Sequence, residues 1–176
     1  MGLSLACVGG ALALDPAGTG EDSALPAANL GPTPASGWDL TTSVHTTTYP
    51  VYGTTANELR QYMDRHGPDC ESAKHDGCTQ WYIALSYRYR GQDGTCAVSE
   101  VHVSTQVTVT LPAWGPPEGT PQTLIDQWQA YMDDLRVHEQ GHVAIALASG
   151  EELLATLRAL PPAPSCDALQ ATVSDI

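Results

Sequence analysis

Positive charge is scarce in this chain. Seven Lys and Arg residues stand against 20 Asp and Glu residues, which gives a formal net charge of −13 over 176 residues. Binding to nucleic acid or to an anionic membrane surface needs a basic patch, so both functions are disfavoured. No apolar run approaches the length of about 18 residues that would cross a bilayer. The length suits one domain with a single core, and we expect a monomer.

The chain also lacks the Cys-x-x-Cys spacing that is typical of cysteine zinc sites. Four of its five cysteines follow residue 13, at Cys70, Cys78, Cys96 and Cys166. An even set of cysteines is typical of disulfides in an exported protein. Three pairings can be drawn. The short separation of Cys70 from Cys78 favours that pair, together with Cys96 and Cys166.

Residues 1–13 resemble a signal peptide, because a run of small and apolar residues ends at Ala11-Leu12-Ala13. The usual Lys or Arg at the start of such a segment is missing. Leu5-Ala6-Cys7 loosely resembles a lipoprotein cleavage box, which makes a lipid anchor at Cys7 the alternative. Residues 14–37 are rich in Ala, Pro and Gly and predict a flexible linker. We therefore expect a secreted, periplasmic or cell-envelope protein whose folded domain covers residues 38–170.

The first part of that domain predicts a strand and a helix. Residues 44–52 are rich in β-branched side chains, and Pro50 places this strand at a sheet edge or near its own end. Thr55 and Glu58 form a capping-box pattern, which predicts a helix over residues 56–65.

The middle of the domain predicts a β-hairpin. Residues 79–90 alternate as a half-buried strand, and Gln92-Asp93-Gly94 is a hairpin turn signal. The returning strand, residues 97–111, places four valines on its inner face and His102 on the opposite face. The inward residues are Val101, Val103, Val107 and Val109.

A helix follows from Thr123. Apolar and aromatic residues recur there at helical spacing, and His138, His142 and Ile145 continue on the same line. This periodicity predicts that both histidines face the protein. After Gly150, residues 151–160 predict further helix.

The segment His138-Glu139-Gln140-Gly141-His142 spells HExxH inside this helix. Two imidazoles four positions apart point the same way from a helix, so both can hold one Zn²⁺ as neutral rings. Glu139 would then be the general base for a metal-activated water. The alternative is a pair of histidines satisfied by hydrogen bonds on a buried helix face. Gly141 is either a point of close packing or merely tolerated, at a cost of about 1 kcal/mol relative to Ala.

A catalytic zinc site needs a third protein ligand and an open position. Ile145 and Ala148 stand where the longer metzincin motif has Gly and His, which excludes that subclass. A straight helix would put Glu152 about 15 Å from His142. Glu151 or Glu152 would therefore reach the ion only if the helix broke near Gly150.

The other histidines are weaker candidates for that ligand. We expect His102 to be exposed on the outer face of its strand, and the sequence does not show which way His45 faces on the first strand. His66 lies at a helix end and His75 in a loop. The sequence does not place the third ligand.

The order of these elements resembles the zincin arrangement. Seven short motifs occur in the order found in a bacterial family of predicted secreted zinc-dependent proteases, and the resemblance covers residues 46–160. It implies an α+β fold in which a small antiparallel sheet packs against a backing helix and a long HExxH helix, with one zinc ion. The motifs are Tyr49-Pro50-Val51-Tyr52-Gly53-Thr54-Thr55, Glu58-Leu59, Gly67-Pro68, Thr79-Gln80-Trp81, Cys96, Thr110-Leu111-Pro112-Ala113-Trp114 and His138-Glu139-Gln140-Gly141-His142.

These observations favour a zinc-dependent metallopeptidase that hydrolyses peptide bonds in a peptide or protein substrate. His138 and His142 would be the metal ligands and Glu139 the catalytic residue. Two alternatives stay open. One is a noncatalytic envelope or adaptor domain with a structural or vestigial zinc site, and the other is a zinc hydrolase of cell-wall amides.

Overall fold

The computed structural model describes residues 37–70 and 73–176. The described part contains five strands and three helices and is α+β, as predicted. The elements are β1 (Trp38–Val51), α1 (Ala56–His66), β2 (Asp69–Cys70), β3 (Ala73–Lys74), β4 (Cys78–Gln92), β5 (Thr95–Trp114), α2 (Gln122–Ala159) and α3 (Cys166–Ser174). The main sheet has the strand order β1-β5-β4, and the two short strands β2 and β3 pair with each other. The predicted signal peptide and the linker up to residue 36 lie outside the described residues.

The main sheet is mixed, and the expected antiparallel sheet is therefore wrong in one respect. β4 and β5 form the predicted antiparallel hairpin, but β1 pairs with β5 in parallel. The hairpin turn fixes the direction of β4 relative to β5 only. β1 is joined to the hairpin by a crossover that includes α1, and such a connection permits a parallel neighbour. Pro50 lies near the end of this edge strand, as predicted.

The hairpin follows the predicted pattern closely. Asp93 and Gly94 have positive φ angles of 51° and 76°, which a two-residue hairpin turn of type I′ requires. The inward side chains of β5 are at most 1% exposed and form the centre of the core, at Val101, Val103, Val107 and Val109.

The core lies between the inner face of the sheet and α2. One cluster of buried side chains surrounds Trp81 and Trp114, and it includes Leu59 and Met63 of α1. A second cluster joins β5 to the C-terminal part of α2 through Leu157. The long helix therefore spans the sheet and contributes to both clusters.

Two disulfides join the elements in the pairing that the sequence favours. Cys70–Cys78 links β2 to the start of β4, and Cys96–Cys166 links β5 to α3. Such bonds indicate an oxidising, extracytoplasmic compartment. Within residues 37–70 and 73–176, no helix has the length and apolar character needed to span a membrane.

α2 is continuous through Gly150, and the further helix predicted for residues 151–160 is its C-terminal part. The helix crosses the sheet so closely there that a Cβ on Gly150 would overlap Thr105 Oγ1 of β5. At Gly141, by contrast, a Cβ would meet no atom of the described residues within 4 Å. Close packing therefore explains Gly150, and Gly141 is merely tolerated.

These two glycines predict opposite effects of one substitution. Gly150→Ala should lower the free energy of unfolding by about 1–3 kcal/mol, because the added methyl forces the helix away from Thr105. Gly141→Ala should raise it by up to about 1 kcal/mol, since it adds only helix propensity. Urea unfolding followed by circular dichroism measures both changes. A Gly150→Ala variant as stable as the wild type would contradict the close crossing.

Candidate metal centre

The HExxH residues lie in the middle of α2, but the residue on the buried face of the helix is the glutamate. Glu139 is 2% exposed, His142 is half-buried and His138 is exposed. The prediction that both histidines face the protein is therefore wrong for His138. The apolar line continues from Leu135 by a step of four to Glu139, whereas the sequence suggested a step of three to His138. The histidines border the buried stripe.

The two rings nevertheless converge on one point. Nε2 of His138 and Nε2 of His142 are 3.2 Å apart, and the ring centroids are 4.8 Å apart. Two nitrogens bound to one tetrahedral zinc ion at about 2.0–2.1 Å would be about 3.3 Å apart. The spacing of the ring nitrogens therefore fits a shared zinc ion. It also fits a hydrogen bond between two imidazoles of complementary tautomers.

Glu139 is held in place by the first residues of β4. Thr79 Oγ1 donates a hydrogen bond of 2.6 Å to Glu139 Oε2, and Thr79 is fully buried. On the other side of the carboxylate, a Cβ on Gly77 would lie 2.8 Å from Oε1. The space beside Oε1 is therefore narrow, and the hydrogen bond from Thr79 helps to offset the cost of burying the carboxylate. The start of β4 therefore fixes the side chain that stands beside the histidine pair.

A polar network centred on Asp76 anchors that start of β4. Arg60 of α1 forms a two-pronged ion pair with the Asp76 carboxylate, and Tyr131 of α2 donates a hydrogen bond of 2.5 Å to its Oδ2. Tyr49 of β1 donates a hydrogen bond of 2.8 Å to the Asp76 carbonyl oxygen. Three elements thus meet at one residue, three positions before Thr79.

The charges in this network are mutually stabilised. Burial by itself raises the pKa of Asp76, but the hydrogen bonds from Arg60 and Tyr131 outweigh burial and hold that pKa below its usual value. Burial, together with the Asp76 carboxylate, raises the pKa of Tyr131. The aspartate therefore stays ionised and the tyrosine stays a donor at neutral pH.

The sequence pointed to Tyr49 and Thr79 only as members of motifs that carry the family resemblance, and it gave neither residue a role. Asp76 and Gly77 lie in a loop, and the chain order Asp-Gly-Cys-Thr just before a strand fits a plain turn. Such contacts between distant elements leave no periodic pattern in the sequence.

Within residues 37–70 and 73–176, no third His, Cys, Asp or Glu ligand joins the histidine pair. In the part of the chain that the structure describes, no group of three or more His, Cys, Asp or Glu side chains is placed to hold a metal. Because α2 does not break at Gly150, Glu152 stays ten residues along the helix from His142, about 15 Å away. Glu151 or Glu152 could reach the ion only if the helix broke near Gly150, and this condition is not met.

The four other histidines lie in separate surroundings. His102 pairs with Asp39 on the outer face of the sheet, and His45 is exposed on β1. His66 stacks on Tyr62 at the end of α1. The His75 backbone N–H donates to the Pro68 carbonyl. The predicted exposure of His102 is confirmed.

The fold and the site define an α+β domain in which a long helix carries a converging histidine pair and a buried glutamate. Residues 46–176 match the bacterial family of unknown function DUF922, and the chain belongs to that family. The predicted membership of a bacterial family is confirmed at this level. Neither the curated proteins nor the solved structures contain a match to the chain.

The Asp76 network predicts an acid-sensitive contribution to stability. Asp76→Asn should lower the free energy of unfolding at pH 7 by about 1.5–3 kcal/mol, because it removes charge-assisted hydrogen bonds. The folded-state pKa of Asp76 is lowered, so the difference in free energy of unfolding between the wild type and Asp76→Asn should be largest above the usual pKa of a carboxyl group. This difference should shrink as the pH falls below about 4.

Urea unfolding of both proteins at pH 7 and at pH 3 measures this difference. Asp64→Asn is the matched control, because Asp64 also pairs with Arg60 but is 59% exposed. It should cost less than about 1 kcal/mol. Equal losses for the two variants would contradict the anchoring role of Asp76.

Proposed function

We propose that this protein is a zinc-dependent metallopeptidase of zincin-like architecture. His138 and His142 would hold one zinc ion, and Glu139 would be the general base. The observation that carries the proposal is the 3.2 Å separation of the two Nε2 atoms. The family resemblance of residues 46–160 supports the same assignment.

In this proposal each residue has a distinct role. Bound zinc would polarise the scissile carbonyl and increase the acidity of a water molecule. Glu139 would accept the proton from the attacking water and pass it to the leaving amine. Thr79 would keep the carboxylate in one orientation through its hydrogen bond to Oε2. The Asp76 network would act indirectly, by holding in place the strand that carries Thr79.

The shortage of ligands favours a second candidate, a noncatalytic envelope or adaptor domain with a structural or vestigial zinc site. A catalytic zinc ion takes three protein ligands, and the described residues supply two in one place. Glu139 is also buried and hydrogen-bonded, as a purely structural carboxylate would be. A hydrolase of cell-wall amides would use the same chemistry as the peptidase on another substrate.

The general base can be tested without disturbing the metal. Glu139→Gln should retain one equivalent of zinc and lose about 10²–10⁴-fold in the rate of peptide hydrolysis, because the amide cannot accept the proton. His142→Ala should lose zinc as well as activity. Glu151→Gln is the matched control on the exposed face of α2 and should behave as the wild type. Zinc content is measured by elemental analysis, and hydrolysis with casein, mixed peptides and peptidoglycan.

Three outcomes separate the candidates. Full activity in Glu139→Gln would reject the proposed mechanism. Cleavage of peptidoglycan amides but not of peptides would favour the cell-wall hydrolase. Stoichiometric zinc without hydrolysis of any of these substrates would favour the noncatalytic domain.

A further inference from the structure

An open groove lies beyond the histidine pair, between β4, the C-terminal part of α2 and α3. Its volume is about 530 Å³, and its walls are largely apolar. Half-buried Ile83 and Leu85 form the strand wall, Leu153 contributes from α2 and Val173 from α3. A space of this size can receive one or two large side chains. Catalysis as proposed above does not use it.

The groove continues the helix face that carries the histidines. At about 100° per residue, positions 138, 142, 145, 149, 152 and 156 share one stripe of α2. Ser149, Glu152 and Thr156 on this stripe line the groove. Ile145 lies between His142 and the groove and is 54% exposed. An exposed apolar side chain thus joins the candidate metal centre to the groove.

The lining is largely apolar, with four hydroxyl groups and one charged side chain. Ser149 donates its hydroxyl to the Ile145 carbonyl, and Ser174 donates to the Gln170 carbonyl. These hydroxyls are therefore used within their own helices. Among the described residues that line the groove, Glu152 carries the only charged side chain. An apolar group accompanied by a positive charge suits such a surface.

We infer that this groove is a substrate subsite that receives a bulky apolar side chain next to a basic residue. This inference rests on the proposed peptidase function. Ser149 and Glu152 follow His142 by seven and ten residues, which is about 10–15 Å along the helix. An extended peptide advances about 3.3 Å per residue. The preferred side chain should therefore lie about three to five residues from the cleaved bond.

The apolar preference is tested by filling the groove. The zinc-loaded protein is incubated with a library of ten-residue peptides, and the cleaved products are sequenced. We expect enrichment of Leu, Met or Phe about three to five residues from the cleavage site. Thr156→Trp should reduce that enrichment at least about tenfold, because the indole occupies the space. Ala155→Trp is the matched control, since Ala155 is exposed and outside the groove.

The charge preference is tested with a neighbouring pair of glutamates. Glu152→Lys should replace the preference for Lys or Arg beside the apolar residue with a preference for Asp or Glu. Glu151→Lys makes the same charge change on a residue that does not line the groove and should leave the profile unchanged. Equal profiles in both variants would overturn the role of Glu152.

A binding measurement separates this inference from the proposed function. A cleaved peptide with the preferred side chains is added to zinc-loaded Glu139→Gln protein, and amide shifts are followed by NMR. Shifts should concentrate at Leu85, Leu153 and Val173. If the wild type cleaves peptides without the predicted enrichment, the subsite is overturned and the peptidase stands. If the wild type cleaves none, library peptides rich in Leu and Lys are used, and shifts at these residues would leave the groove assignment standing while the peptidase fails.

Discussion

The hydrogen bond from Thr79 to Glu139 ties the edge strand β4 to the long helix α2 at the level of the histidine pair. Both residues are buried, so this hydrogen bond helps to offset the cost of burying the carboxylate. The bond also sets which face of α2 the sheet covers. With Glu139 turned to the strand, the two histidines stand at the border of the buried stripe, where solvent can reach them.

Two constraints elsewhere keep this arrangement in register. At one end, Asp76 gathers contacts from β1, α1 and α2 just before β4 begins. At the other end, Gly150 lets α2 cross β5 closely without a break in the helix. The continuous helix then carries one stripe from the histidines to the groove beside α3. The Asp76 network and the lack of a side chain at Gly150 thus both help to position this stripe. From residue 142 to residue 156 the stripe is about 20 Å long, since it spans 14 residues at about 1.5 Å each.

Local patterns in the sequence predicted most of the elements, but they could not predict the contacts between elements that are distant in the chain. The valines of β5 reveal their strand because strand side chains alternate, and Asp93-Gly94 reveals the turn because both need positive φ. The parallel pairing of β1 depends on a crossover, which has no local signature. The sequence left open whether the helix breaks near Gly150, because the packing partner of this glycine, Thr105, lies 45 positions earlier in the chain. The HExxH motif was evident in the sequence. Buried positions on a helix recur at steps of three or four residues, however, and a step of three from Leu135 wrongly assigned His138 to the buried face.

The central claim is that His138 and His142 bind zinc together. X-ray absorption spectroscopy of the zinc-loaded protein at the zinc edge tests it most directly. The account predicts one zinc per chain, with two imidazole nitrogens at about 2.0–2.1 Å, lighter oxygen or nitrogen ligands completing the shell and no sulfur. A spectrum without imidazole scattering, or a failure to bind stoichiometric zinc, would contradict the account.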